Sequence, residues 1–210
     1  MSKLTLFAFP GSCSRVSMIL LEQAQADYQL QMVKLTQGEH KKPEFLAINP
    51  KGKVPALKVD NEILTENPAI ISLIDSLFPA ANLLPKVESK LAELQQLSDL
   101  CFCSSTLHPI VTRLCKPEFF TEQQATTEIK QKANKDLLIA LQWVEQRLGD
   151  SQWWYGQQWS TMDAYIFWVV SRAASCDLDL SLVPNIERHK HDMLKREAVQ
   201  RALAKEQTLS

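Results

Sequence analysis

A proline stands directly ahead of an apolar run, Pro55 before Ala56 to Val59, and few positions restrict a backbone as much. Proline cannot donate to a strand ladder, so Pro55 belongs at a strand entry or a special turn. The residue before it, Val54, is then free to offer its N–H and C=O to something other than this chain. A few residues on, Asn67 followed by Pro68 reads as an N-cap with proline at the first helical position. Ile70, Leu73, Ile74 and Leu77 follow at helical spacing. An open strand edge beside a bare helix N-terminus, with Glu66 between them, suits a peptide-like ligand carrying an amine and a carboxylate.

The same punctuation organises the first part of the chain. Lys3 to Phe9 reads as a buried strand stopped by Pro10-Gly11, and Val16, Ile19, Leu20 and Ala24 mark a helix after Ser12-Cys13-Ser14. A second strand lies within Tyr28–Leu35. A short helical stretch from His40 to Ile48 closes at Asn49-Pro50, and a hairpin of Val54–Val59 with Ile63–Leu64 turns through Asp60-Asn61. The order β-α-β-α-β-β-α predicts a four-stranded mixed sheet with helices on its faces. Beyond the proline-rich segment from Phe78 to Pro85 no strand signal recurs. The expected division is therefore a first domain over 1–80, a linker over 81–86 and an all-helical domain over 87–210.

In that second part a long helix from about Glu88 towards Leu114, bent at Pro109, is expected. Leu137, Leu141, Val144 and Leu148 line the next helix, which stops at Gly149. Ser160 with Asp163 three residues on forms a capping-box pattern, flanked by Trp159 and Ala164 as a hydrophobic staple. Shorter helices are expected near Asn185–Arg196 and Ala198–Lys205. Trp153, Trp154, Trp159 and Trp168 cluster here and read as packing.

Charge and cysteine usage exclude several partners. The net charge is −1, so no basic face for nucleic acid is implied. Five cysteines, an odd number without CxxC, and four histidines without a paired metal motif favour a reduced, cytoplasmic compartment and no metal. Cys101 and Cys103 point to different sides of a helix, and these two with Cys115 and Cys176 read as core or interface filler. No apolar run approaches the roughly 20 residues a membrane span needs, and no signal-peptide pattern opens the chain.

Five blocks, in order, carry a resemblance over nearly the whole length: Pro10-Gly11-Ser12-Cys13-Ser14; Gly38-Glu39-His40; Phe45-Leu46-Ala47-Ile48-Asn49-Pro50-Lys51-Gly52-Lys53-Val54-Pro55-Ala56-Leu57; Leu64-Thr65-Glu66-Asn67; and Ser160-Thr161-Met162-Asp163-Ala164-Tyr165. The sequence resembles the soluble, cytosolic-type glutathione S-transferase superfamily, with mixed bacterial beta-like and theta/delta-like features. The resemblance implies an α/β thioredoxin-like N-terminal domain, an all-α C-terminal domain and a homodimer. It implies that Val54, ahead of a cis Pro55, pairs with the cysteinyl backbone of glutathione, and that Glu66 accepts the γ-glutamyl ammonium. Asn67 stands where the family usually has serine, so only its backbone N–H is expected to meet the glutamyl carboxylate. His40 and Lys53 match positions that reach the glycine carboxylate. Two carboxylates and one ammonium need such a set of partners.

Three residues compete to handle the thiol. Ser12 matches the serine of delta-like members, Cys13 the cysteine of beta-class members, and Ser14, before Arg15-Val16, a third bacterial pattern. Leu107-His108-Pro109 resembles the beta-class helix whose histidine faces the thiol, although His108 also fits a plain position before a kink. A free thiol is mostly protonated at neutral pH, so each candidate must favour the thiolate. The expected activity is attack of the glutathione thiolate on a small electrophile, with glutathione as co-substrate, in a cleft lined by Phe9, His108 and Leu114. A cysteine-dependent thiol transferase or reductase, and a non-catalytic interaction protein on the same fold, are the alternatives.

Overall fold

The sheet is built around β1 (Leu4–Ala8), whose five residues are all buried. α1 (Ser14–Gln23) carries the chain to β2 (Tyr28–Met32), which pairs parallel to β1 with Leu6 opposite Leu30. A parallel pair needs such a crossover. β3 (Ala56–Val59) lies antiparallel on the other side of β1, and β4 (Glu62–Thr65) pairs antiparallel with β3, so the strand order is β2-β1-β3-β4. This computed structural model describes residues 2–121 and 125–208.

Between β2 and β3 the backbone is less helical than its sequence predicts. Leu35–Gln37 and Glu39–Lys41 each wind one 3-10 turn, hinged at Gly38 with φ 71°. A regular helix, α2, spans only Pro43–Leu46. Pro43 accounts for the break: it holds Lys42 extended, at φ −79° and ψ 151°, so a helix cannot run in from His40. Phe7, Val33, Phe45, Val54 and Ala56 then form one buried cluster, with the Phe7 and Phe45 rings 6.1 Å apart. α3 (Asn67–Leu77) follows β4.

The helical unit starts at α4 (Lys90–Cys101), where the Ser89 hydroxyl accepts the Ala92 N–H at 3.2 Å. The expected single helix to Leu114 is instead interrupted by a π-helical stretch, Phe102–Leu107, before α5 (His108–Cys115). Pro109 has no N–H and crowds the carbonyl one turn back, and the wider turn ahead of it accommodates both. α6 (Thr126–Leu148) buries Leu137, Leu141, Val144 and Leu148, and Gly149 ends it at φ 47°. α7 (Thr161–Ala174) has the capping box its sequence predicts, and α8 is Pro184–Leu194.

Cys115 and Cys176 are not filler. They form a disulfide with their Cα atoms 5.5 Å apart, tying the end of α5 to the segment after α7. Cys13, Cys101 and Cys103 remain free.

By internal contacts the chain falls into two units, Met1–Leu83 with Lys195–Ser210, and Leu84–Leu194. The last helix, α9 (Glu197–Thr208), thus joins the sheet unit, not an all-helical domain running to 210. The reason lies in α1, which is buried from Val16 through Glu22 and needs a cover on more than its sheet-facing side. α9 supplies Ala198, Val199 and Ala202, all buried, while Arg201 and Lys205 pair with the Glu22 carboxylate. No helix among the described residues is long and apolar enough to cross a membrane.

Candidate functional site

The strand edge ahead of β3 is held from three sides. The Val54–Pro55 peptide bond is cis. The Val54 side chain is seated in the Phe7–Phe45 cluster, and no group among the described residues accepts its N–H. Its carbonyl accepts the Cys13 thiol at 3.4 Å. Buried Asn49 braces the loop before it, donating from Nδ2 to the Lys53 carbonyl at 2.6 Å and accepting the Lys51 N–H at 3.1 Å. Gly52 sits at φ +59°, and a Cβ there would lie 2.9 Å from the His40 carbonyl, so only glycine lets the two backbones approach. That approach brings His40 beside the loop, with its Nδ1 enclosed and without a hydrogen-bond partner. Lys53 extends into solvent and makes no ion pair among the described residues.

At the start of α3 the sequence expectation shifts by one residue. Glu66, at φ 74°, occupies the N-cap position, so Asn67 is the first helical residue and Pro68 the second. Neither caps the helix with its side chain. Asn67 is buried instead: its Nδ2 donates to the Cys13 carbonyl at 3.0 Å, and its Oδ1 accepts from Ser17 Oγ at 2.8 Å. The amide thus spans two partners at the start of α1, donating to one and accepting from the other. The Glu66 carboxylate is engaged by Lys51, whose Nζ lies 2.7 Å from Oε1 and 3.0 Å from Thr65 Oγ1.

The turn into α1 brings Ser12, Cys13 and Ser14 together. Ser12 Oγ donates to the Phe9 carbonyl at 2.7 Å and lies 2.6 Å from Ser14 Oγ, which accepts the Phe9 N–H at 3.2 Å. Two hydroxyl protons thus serve one carbonyl and each other, and Ser14 is fully buried. Cys13 stands at the N-cap of α1 with no side-chain cap. Its residue surface is half-buried but its sulfur is enclosed, and that burial pushes the thiol up to about 12, against its own backbone N–H and Lys53, which pull it down. The turn is tethered from far along the chain: the buried Glu206 carboxylate accepts the Gly11 N–H at 3.4 Å and pairs with Arg15 at 2.6 Å.

His108 belongs to the second unit, at the start of α5. Its Nδ1 lies 2.9 Å from the Tyr165 hydroxyl and its ring packs edge-on against Trp168, centroids 4.5 Å apart. Leu114 is buried, so it does not line an open cleft. The tryptophans are packing elements: Trp154 Nε1 donates to buried Asp99, and Trp153, Trp154, Trp159 and Trp168 are all buried.

Of the residues expected from the sequence, Val54, Pro55, Glu66, Asn67, His40, Lys53 and the Ser12–Ser14 turn lie in the sheet unit and His108 in the other. Sequence reasoning missed Lys51, Asn49, Ser17 and Glu206. Asn49 carried a signal in its Asn-Pro pair; Glu206, 191 residues from Arg15, carried none.

A cis-proline strand edge, an acidic helix start beside it and a cysteine-bearing turn within reach define a thioredoxin-like thiol-handling unit. Residues 2–76 match the glutathione S-transferase N-terminal domain family. The chain is 32% identical over 203 residues to the glutathione S-transferase GstA of Escherichia coli O157:H7, covering 96% of this chain and 98% of that protein. The chain belongs to the glutathione S-transferase family. It is also 32% identical over 169 residues to the maleylacetoacetate isomerase of Pseudomonas aeruginosa, with 77% of each chain covered. Among solved structures, a glutathione transferase homologue from Sulfitobacter with bound glutathione superposes with a TM-score of 0.88 at 29% identity, covering 98% of this chain and 99% of that one.

Proposed function

We propose that this glutathione S-transferase binds glutathione along the Val54 edge and activates its thiolate for attack on a small electrophile. The observation that carries this reading is the Val54 N–H, without an acceptor among the described residues, with the Glu66 carboxylate at the adjoining helix start. The cysteinyl backbone pairs with Val54, displacing the Cys13 thiol from its carbonyl. The γ-glutamyl ammonium goes to Glu66, its carboxylate to the Asn67 N–H, and the glycine carboxylate to His40 and Lys53.

Cys13 is the group beside the sulfur. Ser12 and Ser14 already commit their protons within the turn. A thiol with a pKa of about 12 stays protonated at neutral pH, so Cys13 donates to a glutathione thiolate and does not compete with it as a nucleophile. The dipole at the start of α1 adds its field, although its first amides are bound within the turn. This favours transfer over cysteine-dependent thiol exchange, which needs a Cys13 thiolate.

The exposed Leu91, Leu94 and Leu97 on α4 support a homodimer, a second copy being the cover for that face. A cytoplasmic location supplies reduced glutathione, and the Cys115–Cys176 disulfide runs against it. Calorimetric titration with reduced glutathione tests the reading. Heat is expected, with binding about tenfold weaker in Glu66→Gln; no heat from the unsubstituted protein overturns it. Conjugation of an activated aryl halide should fall in Cys13→Ala, with its pH profile moved upward, and be largely retained in Cys13→Ser.

A further inference from the structure

The carboxylate at the start of α3 is already occupied by an ammonium of the chain's own. Lys51 Nζ lies 2.7 Å from Glu66 Oε1 and 3.0 Å from Thr65 Oγ1. This is the place assigned to the ligand's ammonium. The root of Lys51 is fixed, because its N–H is bound at 3.1 Å by Asn49, a buried residue that also holds the Lys53 carbonyl. Glu66 is fixed in turn by its φ of 74° at the N-cap. The freedom left is in the two side chains, which are 51% and 63% exposed.

We infer that Lys51 is a specificity-determining residue that makes binding an ion exchange, in which the ligand's ammonium takes Glu66 and the released Lys51 joins the Asn67 N–H on the ligand's α-carboxylate. The inference rests on reading this edge as the glutathione site. An α-amino acid end carries its two charges on neighbouring bonds, so displacement of Lys51 by the ammonium brings the carboxylate next to the displaced group. The result is an alternating row, Glu66, ammonium, carboxylate, Lys51, in which each charge keeps a partner. An amine lacking the carboxylate pushes Lys51 into water with nothing in return. A ligand whose amine is acylated has no cation to displace Lys51 at all. Lys51 therefore reads for the complete zwitterion, where Glu66 alone would accept any amine.

Calorimetry on the full chain with three peptides tests this: reduced glutathione, 4-aminobutanoyl-cysteinyl-glycine, which lacks the α-carboxylate, and N-acetylated glutathione. Both charged partners are largely exposed, so a modest effect is expected. The preference for glutathione over the decarboxylated peptide should shrink by about two- to fivefold in Lys51→Met and return in Lys51→Arg. Raising the salt concentration should erode the same preference in the unsubstituted protein. An unchanged preference in Lys51→Met overturns the inference, leaving Lys51–Glu66 an ordinary surface pair. If the unsubstituted protein binds none of the peptides, the glutathione site itself falls, and the inference with it; a change confined to the ratio concerns Lys51 alone.

Discussion

Two helix starts in this molecule solve the same problem in opposite ways. At α7, Ser160 Oγ accepts the Met162 N–H at 3.3 Å, and one oxygen of Asp163 accepts the Ser160 N–H at 2.8 Å. The other oxygen accepts the Trp154 N–H at 2.8 Å and sits 2.9 Å from His189 Nε2, and both Ser160 and Asp163 are fully buried. At α3, Glu66 leaves its side chain pointing outward, Asn67 sends its amide to another helix, and no side chain caps the first turn. Omitting a cap costs about 1 kcal/mol. The second unit closes its helix start with its own side chains and adds the Cys115–Cys176 bond, though Thr161 Oγ1 and His189 Nδ1 stay buried without a partner among the described residues. The first unit starts α3 without a side-chain cap and pairs its N-cap carboxylate, Glu66, with exposed Lys51. The α7 end is capped by its own side chains, and the α3 end, without a side-chain cap, is where the glutathione site is proposed.

The comparison breaks first at Asp163. Asp163→Ala strands several donors and a buried imidazole, and should cost about 3–5 kcal/mol in urea unfolding or prevent folding outright. A loss below about 1 kcal/mol means the α7 box is not what closes the unit. Next comes the disulfide. Cys115→Ser, opening a bond across a sequence separation of 61 residues, should cost about 2–4 kcal/mol. Thiol titration of the denatured, unreduced protein should count three free cysteines; five would remove the covalent tie from the comparison. In the open unit, Asn67→Ala leaves the Cys13 carbonyl and the Ser17 hydroxyl without their partner. It should cost about 1–3 kcal/mol, and the same substitution should loosen glutathione by moving the Cys13 turn.

What could be read from the sequence follows the same division. The α7 box was legible because its partners lie three residues apart, and Pro55 because it imposes a local backbone condition. Hidden were pairings whose partners are distant in the chain. Lys51 meets Glu66 across 15 residues, Ser17 meets Asn67 across 50, and Arg15 meets Glu206 across 191. No local pattern announces such contacts. The same holds for α9, which reads as one more amphipathic helix and covers α1 only because the α1 face demands it. The one-residue shift at α3 has a different origin: Asn-Pro is a strong cap signal, and tertiary bonds to α1 outweighed it.

The finest test of the open unit is the state of Cys13. If the start of α1 acted on the protein's own sulfur as it is proposed to act on glutathione, Cys13 would be a thiolate near neutrality. Burial acts the other way and raises its pKa from 9.0 to about 12, outweighing the pull of its backbone N–H and of Lys53. A thiol raised on folding is stabilising below the unfolded value, and that contribution is lost as pH climbs towards the folded one. The unsubstituted protein should therefore lose stability between pH 9 and pH 12 more steeply than Cys13→Ser, and the two should run parallel below pH 9. Over the same range iodoacetamide should modify Cys13 more slowly than a free cysteine at pH 8, accelerating only in strong alkali. Rapid modification at pH 7, with a midpoint below 8, would mean that the α1 amides already hold an anion there. Cys13 would then be the nucleophile and glutathione its partner in exchange, and the contrast between a closed unit and an open one would have to be redrawn around a covalent step.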